Sequence, residues 1–149
     1  MARELAYAGR LVWDRDPGGP AYARAFRVAF DGKPPIVGSA DPHFQGDPGR
    51  HNPEELLLAA VAGCHMLTYV ALAERARLPL LAYEDNPSGT VAMKDGRMRF
   101  VDMLLRPRVT LGEGGDRAKA LALHGAAADY CFISNSVNFP VRHEPEVAP

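Results

Sequence analysis

The longest uninterrupted run of helix-favouring residues in this chain starts at Asn52. Asn52 is a good N-cap, Pro53 suits the first helical position, and Glu55 stands three residues after the cap, as in a capping box. Nothing breaks the pattern before about Leu78, and Pro79 ends it. The sequence therefore predicts one long helix, around which every other element has to be arranged.

The first half of this helix is apolar on every side. The segment LLLAAVAGC contains no charged or amide side chain, which is typical of a helix that is buried all round. Its small residues, Ala59, Ala60, Ala62 and Gly63, would let another backbone approach closely. No segment reaches about 18 uninterrupted apolar residues, so a membrane span is not expected.

Strand patterns lie on both sides of the helix. LAYAGRLVW and YARAFRVAF alternate partly around the turn signal RDPGGP, and IVGSA reads as a short third strand. After the helix, an Asp-Gly turn at 95–96 joins two strands, a second helix runs from near Asp116 to just before Cys131, and a short strand is expected around Phe139–Arg142. This order predicts an α+β fold with mostly antiparallel pairing, and 149 residues are most simply one domain, 1–149.

Composition narrows the class of protein. The formal charge of −1 and the pI near 6.5 give no net basic surface for nucleic acid. The N-terminus MARELAYAGRLVW mixes acid and base and has no long apolar core, so we expect no secretory signal and a cytoplasmic location. Two cysteines cannot build a disulfide-rich scaffold or a four-thiolate zinc site, and in a reducing cytosol a pair that oxidises is usually catalytic or sensory.

Cys64 and Cys131 are the two candidate thiols. Buried cysteine is common as a small hydrophobe, and that interpretation stays open for both residues. Cys64 lies about three turns into the first helix, beyond the reach of the helix dipole, so a reactive Cys64 needs a cation from elsewhere in the fold. Cys131 forms no CxxC motif with it, but it follows a helix end, where a thiol could reach back.

Glu54 is less accounted for than Glu55, because the cap needs only one glutamate. Ten residues at about 1.5 Å rise separate Glu54 from Cys64 by roughly 15 Å, so these side chains cannot touch within one straight helix. If two copies of the helix cross antiparallel at Ala59, Glu54 of one chain faces Cys64 of the other. We therefore expect a two-fold symmetric homodimer with two composite sites.

The cation could come from several arginines, namely Arg15, Arg24, Arg27 and Arg50. Of these, Arg50, four residues before Glu54, is taken as the arginine of the site. His65 could act as a base, but it points about 100° round the helix from Cys64 and is more simply structural or pocket-lining. A zinc site from Cys64, His65 and His51 lacks compact ligand spacing, so no metal and no cofactor is expected.

Two of these segments resemble the OsmC/Ohr family of thiol-dependent peroxidases, in a less-studied branch. NPEELLLAAVAGC is similar to the family's Asn-Pro-Glu helix start with a cysteine ten residues after the glutamate, and CFISNSV is similar to its Cys-x-Ile-Ser-Asn segment. The resemblance implies antiparallel sheets wrapped around two long central helices in an intertwined homodimer.

The same resemblance implies a function and a role for each site residue. Organic hydroperoxides would be the substrates, with Cys64 as the peroxidatic cysteine and Cys131 as the resolving cysteine. Glu54 would orient the activating arginine, here Arg50. An external dithiol, of lipoyl type, would reduce the disulfide, and no metal or prosthetic group would be needed.

Two alternative functions stay open on the sequence. One is a non-enzymatic dimer that binds an apolar ligand or senses redox state, with the cysteines as a switch. The other is a hot-dog-like thioesterase, in which a long central helix is also wrapped by sheet and a carboxylate such as Glu54 would act as the base.

Overall fold

The computed structural model describes residues 3–149, and the contacts within it divide the chain into two compact units, one up to Leu56 and one from Leu57 onward. The first unit contains three strands: β1 (Arg10–Val12), β2 (Phe26–Ala29) and β3 (Ile36–Gly38). They form an antiparallel sheet in the order β1-β2-β3, at the three places that the alternation predicts. The expectation of a single domain over 1–149 stays a prediction.

The long helix, α1, spans Pro53–Arg75 and begins as the sequence predicts. Asn52 Oδ1 accepts from the Glu55 amide at 2.8 Å, and Glu55 Oε2 accepts from the Asn52 amide at 3.2 Å, which is a capping box. The helix ends three residues earlier than predicted. Arg77 adopts the left-handed conformation (φ 54°), and the amides of Arg77 and Leu78 bond back to carbonyls in the last turn, as in a Schellman motif.

The prediction that α1 is buried on every side is wrong for the chain alone. One stripe at helical spacing is buried: Val61, His65, Tyr69 and Ala73. The residues on the other side are apolar but exposed, and they include Ala59, Ala60, Leu67, Val70 and Ala71. By length and composition alone α1 could cross a bilayer, yet its buried stripe, with two hydrogen-bonding side chains, is that of a core helix.

The second unit contains two three-stranded sheets and the other helix. Its elements are β4 (Leu80–Asp85), β5 (Ser88–Lys94), β6 (Arg97–Leu105), β7 (Pro107–Leu111), α2 (Arg117–Tyr130), β8 (Val141–His143) and β9 (Glu146–Val147). The sheets have the orders β4-β7-β9 and β5-β6-β8, and β8 and β9 pair parallel to their neighbours while the other pairs are antiparallel. The α+β class is confirmed, whereas the two-residue strand β9 was not predicted.

Helix α2 begins and ends where the sequence predicts. The Asp116 side chain accepts from the Lys119 amide at 3.0 Å as an N-cap, and the last helical residue is Tyr130. The Tyr69 hydroxyl of α1 donates to the Ala120 carbonyl of α2 at 3.0 Å. This bond lies within a core cluster that α1, α2 and the β4-β7-β9 sheet share, so the two helices are held together from inside.

Candidate functional site

The structure brings Cys64 and Cys131 together. Both are free thiols; Cys64, on α1, is half-buried, and Cys131, at the end of α2, is fully buried. Cys64 lies close enough to Cys131 to influence the pKa of its thiol. Two thiols that lie far apart in the sequence are therefore neighbours in the folded chain, and their catalytic roles stay a prediction.

The surroundings of Cys131 favour its neutral thiol. Burial raises the pKa of Cys131, and the adjacent Cys64 sulfur raises it further. The hydroxyl and the amide of Ser134 lie beside the sulfur and act in the opposite direction. That buried hydroxyl has no nitrogen or oxygen partner among residues 3–149, so it is free to turn towards the sulfur when charge develops there.

The segment CFISNSV has a structural reason in this fold. The Asn135 amide donates to the Cys131 carbonyl at 3.0 Å, and Asn135 Nδ2 donates to the Asp129 carbonyl at 2.8 Å. Ser136 Oγ donates to the Phe132 carbonyl at 2.7 Å. These bonds satisfy one carbonyl in the last turn of α2 and two carbonyls just after it. The motif therefore fixes the backbone that carries Cys131.

Cys64 lines an open, mainly apolar cavity of about 880 Å³ on the exposed face of α1. The other lining residues are Ala59, Ala60, Gly63, Leu67, Thr68, Ala71, Leu72, Arg75, Tyr130 and Phe132. Arg75 is the cation among them, but eleven residues of helix place it about 16 Å from Cys64 along the axis. Within the second unit, the cavity thus offers the thiol an apolar environment and no adjacent positive charge.

Glu54 and the candidate arginines belong to the first unit. Glu54 is exposed and lines a depression of about 320 Å³ together with Arg24. Arg50 lines a different depression of about 130 Å³ with Arg27, and its Nε lies 3.3 Å from the Asp47 carboxylate. Glu54 and Arg24 therefore line one depression and Arg50 lines another, and the assignment of Arg50 to the site stays a prediction. The residues that form the depression around Glu54 come from separate segments, so the sequence offered no local signal for it.

His65 faces the core instead of the cavity. It is fully buried, its Nε2 lies 3.1 Å from Nδ1 of His124, and its ring contacts that of His143 with centroids 4.5 Å apart. Burial, with smaller contributions from His143 and His124, lowers the pKa of His65 to about 3. Burial, followed by His143, lowers the pKa of His124 to about 4. Both imidazoles are therefore neutral near pH 7.

The sequence did not reveal this histidine cluster. Its members lie on α1, α2 and β8, at positions that share no motif, and only the folded chain brings them together. Within the described part of the chain, no group of three or more His, Cys, Asp or Glu side chains is arranged to hold a metal ion.

Comparisons with known proteins agree with the resemblance seen in the two motifs. The family model described as OsmC-like protein matches residues 46–146. The uncharacterized protein YmaD of Bacillus subtilis (strain 168) is 30% identical over 100 residues, which cover 65% of this chain and 67% of YmaD. An OsmC-like protein of unknown function from Vibrio cholerae superimposes with a TM-score of 0.89 at 28% identity, over 95% of this chain and 99% of that one.

More distant structures have the same fold. An organic hydroperoxide resistance protein from Elizabethkingia anophelis gives a TM-score of 0.74 at 15% identity, over 99% of each chain. The organic hydroperoxide resistance protein OhrB of Bacillus subtilis gives 0.66 at 19% identity, over 97% of this chain and 98% of that one. The chain fold expected from the resemblance is therefore confirmed, and the intertwined homodimer stays a prediction.

Proposed function

The chain belongs to the OsmC-like protein family, and on that premise we propose that it reduces organic hydroperoxides with Cys64 and Cys131. The observation that carries the proposal is the proximity of the two thiols, of which Cys64 lines an open apolar cavity. The names of two structural neighbours, organic hydroperoxide resistance proteins, agree with this chemistry. An apolar cavity also favours an alkyl peroxide over hydrogen peroxide.

The first step takes place at Cys64. Its thiolate attacks the distal peroxide oxygen, an S–O bond forms, and the O–O bond breaks. The alkoxide leaves with a proton as an alcohol, and Cys64 becomes a sulfenic acid. Cys64 is suited to this role because it is the more accessible of the two thiols.

The second step uses Cys131. Its thiolate attacks the sulfenic sulfur, an S–S bond forms, and the S–O bond breaks, so that hydroxide leaves as water. The raised pKa of Cys131 means that its proton must be removed during this step, and the leaving hydroxide can accept it. An external dithiol, of lipoyl type, then reduces the disulfide through thiol exchange.

A partner chain would supply the cation that Cys64 needs. Arg24 and Glu54 line one depression of the first unit, and an antiparallel crossing of two α1 helices near Ala59 would bring this pair to the partner's cavity. The exposed apolar face of α1 supports such a homodimer, because a large uncovered apolar surface is uncommon on a monomer. In this arrangement Arg24, oriented by Glu54, favours the Cys64 thiolate and stabilises the leaving oxygen.

Turnover of cumene hydroperoxide with dihydrolipoamide as the reductant tests the proposed activity. Cys64→Ser is expected to abolish peroxide consumption, and Cys131→Ser to retain a single turnover and accumulate oxidised Cys64. Arg24→Gln should reduce the rate by about a hundredfold, in the range seen when one charge-stabilising group is removed. Arg50→Gln, the matched change in the other depression, should have a much smaller effect. Full multi-turnover activity in Cys64→Ser would exclude the assignment.

Substitutions of two helical glycines, Gly63 and Gly125, test the proposed dimer. A Cβ added at Gly63 or at Gly125 meets nothing within 4 Å in the chain, so each Gly→Ala change should stabilise an isolated chain by up to about 1 kcal/mol. Only Gly63 lines the cavity on α1. We expect Gly63→Leu to raise the dissociation constant of the dimer in light scattering, while Gly125→Leu leaves it unchanged. A monomeric wild-type protein at active concentrations would contradict the proposal.

The alternative functions are separated by the same assays. A redox sensor would form the disulfide once but would not turn over with excess dithiol. A thioesterase would lose activity in Glu54→Ala and keep it in Cys64→Ser, the opposite of the pattern expected here.

A further inference from the structure

Two side chains of α1 attach α2 to it inside the core. His65 Nε2 lies 3.1 Å from His124 Nδ1, and the Tyr69 hydroxyl donates to the Ala120 carbonyl at 3.0 Å. The rings of Tyr69 and His124 are also stacked, with centroids 4.2 Å apart and planes 20° apart. The hydrogen bonds are directional and the stack is planar, so these contacts constrain both the position and the rotation of α2.

These contacts lie on the same two helices as the thiols. His65 follows Cys64 directly in α1, and His124 lies two turns before Cys131, at about 10 Å along α2. Cys131 is the C-terminal cap of α2. Any slide or rotation of α2 on α1 therefore moves the Cys131 sulfur relative to the Cys64 sulfur.

Joining two helices through a buried histidine pair reduces the stability of the fold. His65 is 0% exposed and His124 is 2% exposed, and each ring leaves one nitrogen, Nδ1 of His65 and Nε2 of His124, without a hydrogen-bond partner in the described chain. Burying unpaired polar atoms destabilises a fold, whereas two apolar side chains would avoid the cost. The pair thus contributes something that packing alone does not, namely a fixed direction.

The neighbours of the pair are polar but do not replace this bond. His143 of β8 contacts the His65 ring, and Tyr83 of β4 lies 6.2 Å from the His124 ring, centroid to centroid. Asp85, also on β4, has a buried carboxylate oxygen without a partner within residues 3–149. The bond between the two imidazoles therefore joins α1 to α2 beside the bond from the Tyr69 hydroxyl to the Ala120 carbonyl.

We propose that His65, His124 and Tyr69 are positioning residues that hold α2 on α1 so that Cys131 can reach Cys64 oxidised to sulfenic acid. The proposal rests on the proposed function for the sulfenic step, in which the S–S bond forms as the S–O bond breaks and water leaves. Its thermodynamic part, the ease of closing the disulfide, does not depend on any peroxide. Displacements of about 1 Å can reduce the rate of such a step by about a hundredfold.

Two substitutions of His124 separate positioning from packing. His124→Leu fills most of the space but loses the bond to His65, whereas His124→Asn keeps an amide near the Nδ1 position and loses ring volume. We expect His124→Leu to lower the equilibrium constant for disulfide formation about tenfold in glutathione buffers, which raises the reduction potential by about 30 mV. The sulfenic acid, trapped with dimedone after one peroxide pulse, should persist about tenfold longer. His124→Asn should stay within about twofold of the wild type in both measurements.

Val109→Ala is the matched control. Val109 is fully buried in the core cluster that contains Tyr69 and Ala120, but its side chain forms no hydrogen bond to α1 or α2. It should reduce stability and leave both thiol measurements unchanged. If His124→Leu does not fold, Tyr69→Phe decides, with an expected change in the same direction of about threefold. Unchanged thiol measurements in His124→Leu or in Tyr69→Phe would overturn the proposal, as would an Asn variant as impaired as the Leu variant.

The experiments can reject the proposed peroxidase function and the positioning role of the histidines independently. A wild-type protein that reduces no peroxide would remove the proposed function, while the glutathione equilibrium would still decide the role of the histidines. Conversely, an active peroxidase with an unshifted potential in His124→Leu would keep the function and reject the positioning role.

Discussion

Cys64 and His65 are adjacent in α1. Cys64 lies near Cys131, at the end of α2, and His65 bonds to His124 within α2, but Cys64 is accessible whereas His65 is buried. Cys64 lines an open cavity of about 880 Å³. His65 is fully buried against His124. The turn of about 100° between consecutive helical residues is enough to separate them.

This comparison shows that solvent access, more than the type of side chain, decides whether the histidine pair or the thiol pair can react. Histidine is the usual acid–base group near neutral pH, but here burial holds the pKa values of His65 and His124 at about 3 and about 4. These rings are neutral and sealed, so they suit a structural role. The thiol pair combines one accessible and one buried sulfur, which suits an attack from solvent followed by closure.

The largest expected difference, in both activity and stability, is between the Cys64→Ala and His65→Ala variants. Cys64→Ala should abolish peroxide reduction and change stability little, because Cys64 is half-buried. His65→Ala should reduce the free energy of unfolding by about 2–4 kcal/mol, since it leaves a cavity and an unpaired His124 nitrogen, but it should retain the first oxidation of Cys64. Urea unfolding at one fixed protein concentration and peroxide consumption measure the two effects. Equal loss of activity in both variants would break the comparison.

A smaller effect is expected on the pH dependence of stability. The folded pKa values of His65 and His124, about 3 and about 4, lie below the value of about 6.5 for an unfolded histidine. Below about pH 6.5 the unfolded chain therefore binds more protons, so stability is fully present above that pH and is lost as the pH falls. The slope approaches about 1.4 kcal/mol per pH unit for each histidine.

Urea unfolding between pH 7.5 and 5 measures this slope in a range where most carboxylates stay ionised. His124→Asn should have a shallower slope than the wild type. Val109→Ala, which removes a buried side chain without a titratable group, serves as the control and should keep the wild-type slope. A wild-type slope that matches that of His124→Asn would show that the buried pair does not carry the effect.

The smallest effect concerns the two sulfurs themselves. Burial and the raised pKa of Cys131 should make it react with iodoacetamide about tenfold more slowly than Cys64 at neutral pH. Raising the pH should reduce the difference as the Cys131 thiolate forms. Peptide mass spectrometry after timed labelling gives both rates, and labelling of Cys131 first would reverse the assignment of the accessible thiol.

The sequence predicted those features that depend on local chemistry. The Asn52 cap, the Asp95–Gly96 turn, with φ of 51° and 74°, and the bounds of α2 follow from short-range rules and are present. The two cysteines were singled out by their motifs. The end of α1 was missed, because Arg77 adopts a left-handed conformation that is usually left to glycine or asparagine.

Features that depend on tertiary contacts could not be predicted from one sequence. An apolar helix pattern does not say which side its own chain covers, so the exposed face of α1 was missed. The depression that Glu54 and Arg24 line, and the bond between His65 and His124, bring together segments that share no local signal. In each case the missing information was a distance between residues far apart in the chain.

The central claim is that peroxide joins Cys64 to Cys131 within one chain. Addition of one equivalent of cumene hydroperoxide to the reduced protein, followed by alkylation, digestion and mass spectrometry, tests it directly. We expect a single cross-linked peptide pair that contains both cysteines and is lighter by two hydrogen masses, with no thiol left to alkylate. Two alkylated thiols after the peroxide is added, or a link between the same cysteine of two chains, would contradict the account.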